Sequence, residues 1–164
     1  MAQAAKAAAT KVIALLTAPA GVNGNLAALA QAAGVTLPVI TTGQIAAQNI
    51  ASDLAERSAD VKYPALNIYC EKLSNVLREK FRTFSGTASM AIEVRLSQDR
   101  LDGLESNLQL YLDAVTQVLD TNRGDWGSGM FYAGGYEAVI HPVKRGGRNF
   151  IQVAKVTFDV GVSS

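Results

Sequence analysis

The chain has 164 residues, 49% hydrophobic and 18% charged, with 15 basic against 14 acidic side chains and a formal net charge of +1. A chain of this length makes one globular domain that buries about 70% of its unfolded surface. The balanced charge excludes a strong global pull toward nucleic acid or an anionic membrane and leaves only local patches for such partners. The single Cys70 excludes an internal disulfide and fits a reducing compartment.

In chain order, Ala2 to Ala18 is expected to be helical, since alanine has the best intrinsic propensity and Val12, Leu15 and Leu16 give one apolar side. Lys6 and Lys11, then Val12 to Leu16, then Ala18-Pro19-Ala20 loosely imitate a secretory signal. The apolar core is shorter than a signal requires, so the helix is the preferred reading, and no stretch is apolar and long enough to span a bilayer. Pro19 and Gly21 end this helix. Gly24 to Ala33 reads as a second helix, capped by Asn25 and closed by Gly34. Leu37 to Thr41 reads as a short β-like piece. Gly43 to Arg57 reads as a third helix with Ala47, Ile50 and Leu54 inward.

Tyr63 to Leu73 alternates as a strand. Ser74 to Phe84 is either a strand continuation or a long hairpin connection, with Ser85-Gly86 as a turn. From Thr87, Met90, Ile92, Val94 and Leu96 alternate with Ser89, Ala91, Glu93 and Arg95, the period of a strand with one face in a core. At Ser97 the period changes. Leu101, Leu104, Leu108, Tyr111, Val115, Val118 and Leu119 recur at helical spacing. Ser97 supplies the expected N-cap, Asp99 and Asp102 suit the helix dipole, and Asn122 to Gly124 supply a stop. Met130 to Pro142 reads as a strand broken at Gly134-Gly135. Lys144 to Asn149 reads as a hairpin turn, and Phe150 to Val160 as the last strand. Phe150, Ala154, Val156, Phe158 and Val160 share one face, with Gln152 as the exception.

The expected fold class is α+β: a four-stranded antiparallel sheet with a main helix between two hairpins, plus an Ala-rich N-terminal helical region. The expected division is 1–60 for the Ala-rich region and 61–164 for the α+β core, forming one compact unit. No catalytic, cofactor-binding or metal-ligating constellation stands out. The lone His141 at a strand end reads as structural, Cys70 as a buried thiol, and no Cys, His and carboxylate cluster has metal-site spacing. Gly124, Gly127 and Gly129 around Trp126 lack the lysine of a phosphate loop. Trp126 is a candidate binding anchor, weighed against packing on the end of the main helix. Lys144, Arg145 and Arg148 form a basic tip read as a protein contact. Asp102, Glu105 and Asp113 on the polar side of the main helix are its candidate acceptors on an adjacent copy. Sheet edges, expected at the Tyr63 strand and in the final hairpin, invite self-assembly.

Lys62-Tyr63-Pro64-Ala65-Leu66, Phe84-Ser85-Gly86, Ile92-Glu93-Val94, Tyr111-Leu112-Asp113-Ala114-Val115, Gly146-Gly147-Arg148-Asn149-Phe150 and Val156-Thr157-Phe158 occur in that order. With its size and element order, this block resembles the tail terminator (tail completion) proteins of tailed bacteriophages. The resemblance covers roughly residues 60–164 and leaves the alanine-rich first third outside it. It implies a structural virion protein without catalysis or cofactor. Such proteins form a homo-oligomeric ring, usually a hexamer, that caps the tail tube and joins neck or connector proteins. Double-stranded DNA passes through the ring without sequence-specific binding. The location implied is the virion, and the host cytoplasm during assembly, with no membrane partner. Rival readings are a portal adaptor or stopper protein of the phage neck, a small non-viral binding module, and an enzyme with an unrecognised site.

Overall fold

The computed structural model describes residues 2–57, 61–77 and 79–164. Among these, the elements in order are α1 (Ala2–Thr17), α2 (Val22–Ala33), a short 3-10 turn (Thr42–Gln44), β1 (Ile45–Ala46), α3 (Ser52–Arg57), β2 (Ala65–Asn75), β3 (Ser85–Gln98), α4 (Leu104–Thr121), β4 (Gly124–Gly127), β5 (Met130–Tyr132), β6 (Glu137–Ile140), β7 (Lys144–Gly146) and β8 (Asn149–Ser163).

The sheet is built on β3 and β8, antiparallel over their whole shared length from Ser85↔Ser163 to Gln98↔Phe150. The alternation in the sequence explains one face. Met90, Ile92 and Val94 stand opposite Phe158, Val156 and Ala154. All six lie in one core with Leu108, Tyr111 and Val115 of α4 and Ala8, Val12 and Leu16 of α1. Residues before and after position 60 therefore share this core. Helix α2 packs on the far side of α4, so α4 is buried on two sides. Asn25 on α2 donates from Nδ2 to the Ala114 carbonyl at 3.1 Å.

The sheet is mixed and eight-stranded among the described residues, in the order β1-β2-β3-β8-β5-β4, with β6 and β7 also paired to β8. This corrects the four-stranded antiparallel expectation. Part of the difference comes from β8, whose fifteen residues are long enough for β5, β6 and β7 to line up along one side of it. The segment expected as one broken strand is divided by Gly134 and Gly135, at φ +94° and +88°, backbone that glycine adopts without strain. The remaining differences are β4, which pairs antiparallel with β5, and β1, which pairs parallel to β2 at Leu66 and Asn67.

Other boundaries move for identifiable reasons. Ser97 is not a helix cap; it pairs with Ile151 as β3 runs on to Gln98. The helix starts after Gly103, at φ +76° and with no side-chain cap, and Leu101 is left exposed. Asp99 and Asp102 precede the helix, and only Glu105 is acidic in its first turn. Asn25 does not cap α2, because Gly21 holds that position, while Gly34 closes α2 at φ +68°. Leu37 to Thr41 joins no ladder. The Asn23 side chain stands in for a neighbouring strand, accepting from Ile40 N at 2.8 Å and donating to Ile40 O at 2.7 Å. The expected third helix shrinks to α3, with Ala47 and Leu54 exposed. Ser85-Gly86 opens β3 rather than turning. A Cβ on Gly86 would lie 1.8 Å from the Ser74 carbonyl oxygen, so close approach of β2 selects the glycine. No single helix among the described residues is long and apolar enough to cross a membrane.

Candidate assembly interface

The sheet has open edges on opposite sides. Beyond Asn67, no described strand pairs with the outer side of β2, and Glu71, Lys72 and Asn75 are exposed. On the other side β6 pairs, among the described residues, only with β8, and all four of its residues are exposed, Val139 at 53% and Ile140 at 38%. An unpaired strand presents amides and carbonyls that another chain can complete. The β2 edge agrees with the expectation from the sequence. The expected open strand of the final hairpin is β6, with β7 and β4 also open in that region, while β8 is interior. Beyond β2, the connection to β3 carries a second exposed apolar group, Val76, Leu77 and Phe81. Its base is tied to the C-terminus, where Ser163 Oγ donates to Glu79 and the Thr83 and Phe84 amides donate to Ser164 O.

The other candidate residues are not brought together. Trp126 is 8% exposed. Its indole N–H donates to the Asn122 carbonyl at the end of α4 over 2.6 Å, and its ring lies 5.3 Å from that of Tyr132. It packs on the end of the main helix and presents no free anchor. Lys144, Arg145 and Arg148 do lie at a hairpin tip, where Gly147 takes φ +69°. Their surroundings differ. Lys144 pairs with Glu56 of α3 at 2.7 Å, Arg145 lies 5.7 Å over the Phe150 ring, and Arg148 is exposed. Asp102, Glu105 and Asp113 are exposed and make no ion pair among the described residues.

His141 is exposed, and burial pushes the half-buried Cys70 thiol above its ordinary value, which disfavours a thiolate nucleophile. No group of three metal-ligating side chains occurs among the described residues.

The sheet face away from α4 carries what the sequence reading missed. The register places Ala65, Arg95 and Val153 in one row, Asn67, Glu93 and Lys155 in the next, and Tyr69, Ala91 and Thr157 in a third. Tyr69 donates its hydroxyl proton to Glu93 at 2.7 Å, and Glu93 also holds Arg95 at 2.5 Å. Burial first, then the bond to Glu93, pushes the Tyr69 hydroxyl up to about 12. Lys155 pairs with Glu71, and that bond raises its pKa. The signal was present: opposite charges two apart on one strand share a face. What was hidden is that Arg95 is only 1% exposed, roofed by a segment more than forty positions earlier. No protein-family model matches this sequence, and no curated protein matches it.

Proposed function

We propose that this chain is a ring-forming structural protein of the tail-terminator kind, which closes a phage tail tube and joins it to the neck. The observation that carries the proposal is the pair of unlike open edges, β2 and β6, on opposite sides of one sheet. Addition of the β2 edge of one copy to the β6 edge of the next continues the sheet from subunit to subunit. That contact is heterologous, and heterologous contacts close into rings when the rotation allows. The exposed Val139 and Ile140 give such a contact apolar area. The element order after position 61, a hairpin, a helix and a strand-rich return, supports the family resemblance. The exposed Val76, Leu77 and Phe81 then serve as the contact with tube or neck protein.

Light scattering tests assembly: a ring is several-fold heavier than the 17.3 kDa chain, and negative-stain images show its central hole. Hydrogen exchange tests the edges. Amides of Ile68–Asn75 and Glu137–Ile140 should exchange more slowly in assembled than in dissociated protein. Val139→Lys, at an exposed position, should leave the fold intact and shift the population to monomer. A chain that stays monomeric at its highest soluble concentration, alone and with open-ended tail tubes, overturns the proposal.

A further inference from the structure

The exposed side of α1 forms one wall of a hollow of about 420 Å³, lined by Ala7, Thr10 and Ala14 together with Met130 of β5, and by Lys6 and Lys11. Ala7, Thr10 and Ala14 follow at spacings of three and four, so they share one line along the helix, and the two lysines fall on either side of it. The small side chains on that line let another surface approach closely. Neither lysine makes an ion pair among the described residues, and no acidic side chain occurs between Ala2 and Thr17. An apolar knob carrying negative charge complements such a hollow. The turn between β3 and α4 presents one. Leu101 is 57% exposed, and its carbonyl accepts from Leu104 N at 3.3 Å. Asp99, Asp102 and Glu105 around it are exposed and outnumber the neighbouring Arg100. Hollow and knob stand at opposite ends of β8. Met130 pairs with Val162, whereas Asn107 of α4 donates from Nδ2 to Gln98 Oε1 at 2.8 Å, and Gln98 pairs with Phe150. The strand from Phe150 to Val162 spans about 40 Å at about 3.3 Å per residue, so the knob of one chain cannot enter its own hollow.

We infer that the hollow on α1 takes the Leu101 turn of a second copy, with Leu101 against Ala7, Ala14 and Met130, and with Asp102 and Glu105 on Lys6 and Lys11. A second copy is the occupant because this chain supplies both halves: an apolar hollow flanked by unpaired cations, and an apolar knob flanked by unpaired anions. Each copy offers one of each at opposite ends, so the contact is heterologous. It runs along the strands, across the line that joins the β2 and β6 edges. It therefore stacks copies end to end and goes beyond the ring, which the edges alone close. Leucine burial carries most of the affinity, since exposed ion pairs contribute little. The charges set the direction, because knob against knob and hollow against hollow both repel.

Carbodiimide coupling, which joins a lysine amine directly to a carboxylate in contact with it, tests this on the full wild-type chain. In a mixture of isotope-labelled and unlabelled protein at low salt, Lys6 or Lys11 of one copy should couple to Asp102 or Glu105 of another. High salt should suppress that coupling. Val139→Lys, which opens the ring, should leave it in place. Leu101→Ser, at an exposed position, should weaken end-to-end association about tenfold. The pair Lys6→Glu, Lys11→Glu and the pair Asp102→Lys, Glu105→Lys should each abolish it in sedimentation. Mixing the two double variants should restore it, since each then meets an opposite charge, an outcome that misfolded chains cannot give. A wild-type chain that stays monomeric overturns both this inference and the ring. Rings that form without these couplings between copies overturn the inference alone, as does a mixture no better associated than its components. Self-association unchanged in the Lys6, Lys11 variant, with binding to tail tubes lost, also overturns it and gives the hollow to an acidic surface of another protein.

Discussion

On one side of β3, Met90, Ile92, Val94 and Leu96 meet α1 and α4; on the other, Glu93 and Arg95 meet Tyr69, Lys155 and the segment around Ile50. Both sides exclude water, by different means. The helix side relies on apolar area, which is non-directional and tolerates exchange of one aliphatic side chain for another of similar volume. The opposite side buries charge, which needs each partner in place and leaves a large penalty when one is lost. The helix side therefore holds the fold, and the opposite side holds its specific geometry, including the roof at Arg95 and the hairpin strut at Lys144.

The largest way to break this comparison is Glu93→Ala. The Arg95 side chain is 2% exposed and that of Glu93 15%, so the substitution strands a buried guanidinium. The expected cost is about 3–5 kcal/mol in denaturant unfolding. The double variant Glu93→Leu, Arg95→Met removes both charges and should recover most of that loss. A double variant no more stable than Glu93→Ala would show that the face depends on shape, not on balanced charge.

Leu108→Ala tests the helix side. Leu108 is fully buried beneath α4, and its truncation should cost about 2–5 kcal/mol. Gln109→Ala, on the exposed side of the same helix, should cost less than about 0.5 kcal/mol. A thermal midpoint unmoved by Leu108→Ala would mean that α4 does not carry the core.

The two faces also differ in how far the sequence revealed them. The apolar periodicity of Met90 to Leu96 and of Leu104 to Leu119 was enough to find β3, α4 and the face they share, because burial there depends on local spacing. The strand-to-helix boundary lies beyond Ser97 because pairing with β8 outweighs a capping preference, and the β8 partner lies more than fifty residues away. Glu93 and Arg95 fall in the outward set of the alternation. Their burial depends on a roof from the alanine-rich first third, a stretch whose weak periodicity gave no sign of crossing the sheet. The open edge of β2 was anticipated. The interior place of β8 was not, since no local pattern announces that several short strands will line up along one long one.

The smallest expected effect separates the faces by alkaline titration. Two tyrosines serve as probes, one for each side: Tyr111 on α4, donating to the Pro38 carbonyl at 2.6 Å, and Tyr69 beside Glu93. Burial alone lifts the Tyr111 hydroxyl to about 12, and burial aided by Glu93 lifts Tyr69 to about 12. Lys155, bonded to Glu71, is raised as well. Each of these groups holds its proton more tightly in the folded chain than in the unfolded one. Their stabilisation is complete below the unfolded values near 10 and is lost as pH rises through the folded values, about 12 for the two tyrosines. At neutral pH Tyr69→Phe removes one hydrogen bond and should cost about 0.5–1.5 kcal/mol. In unfolding measured across the alkaline range, the same variant should lose stability less steeply than wild type, because one raised proton is gone. Tyr111→Phe should flatten the curve similarly. Glu93→Gln, which removes the anion beside Tyr69, should lower only the Tyr69 transition in phenolate absorbance. A Tyr69 that ionises near 10 along with exposed tyrosines would show that its face is open to water and that the comparison between the two faces fails there.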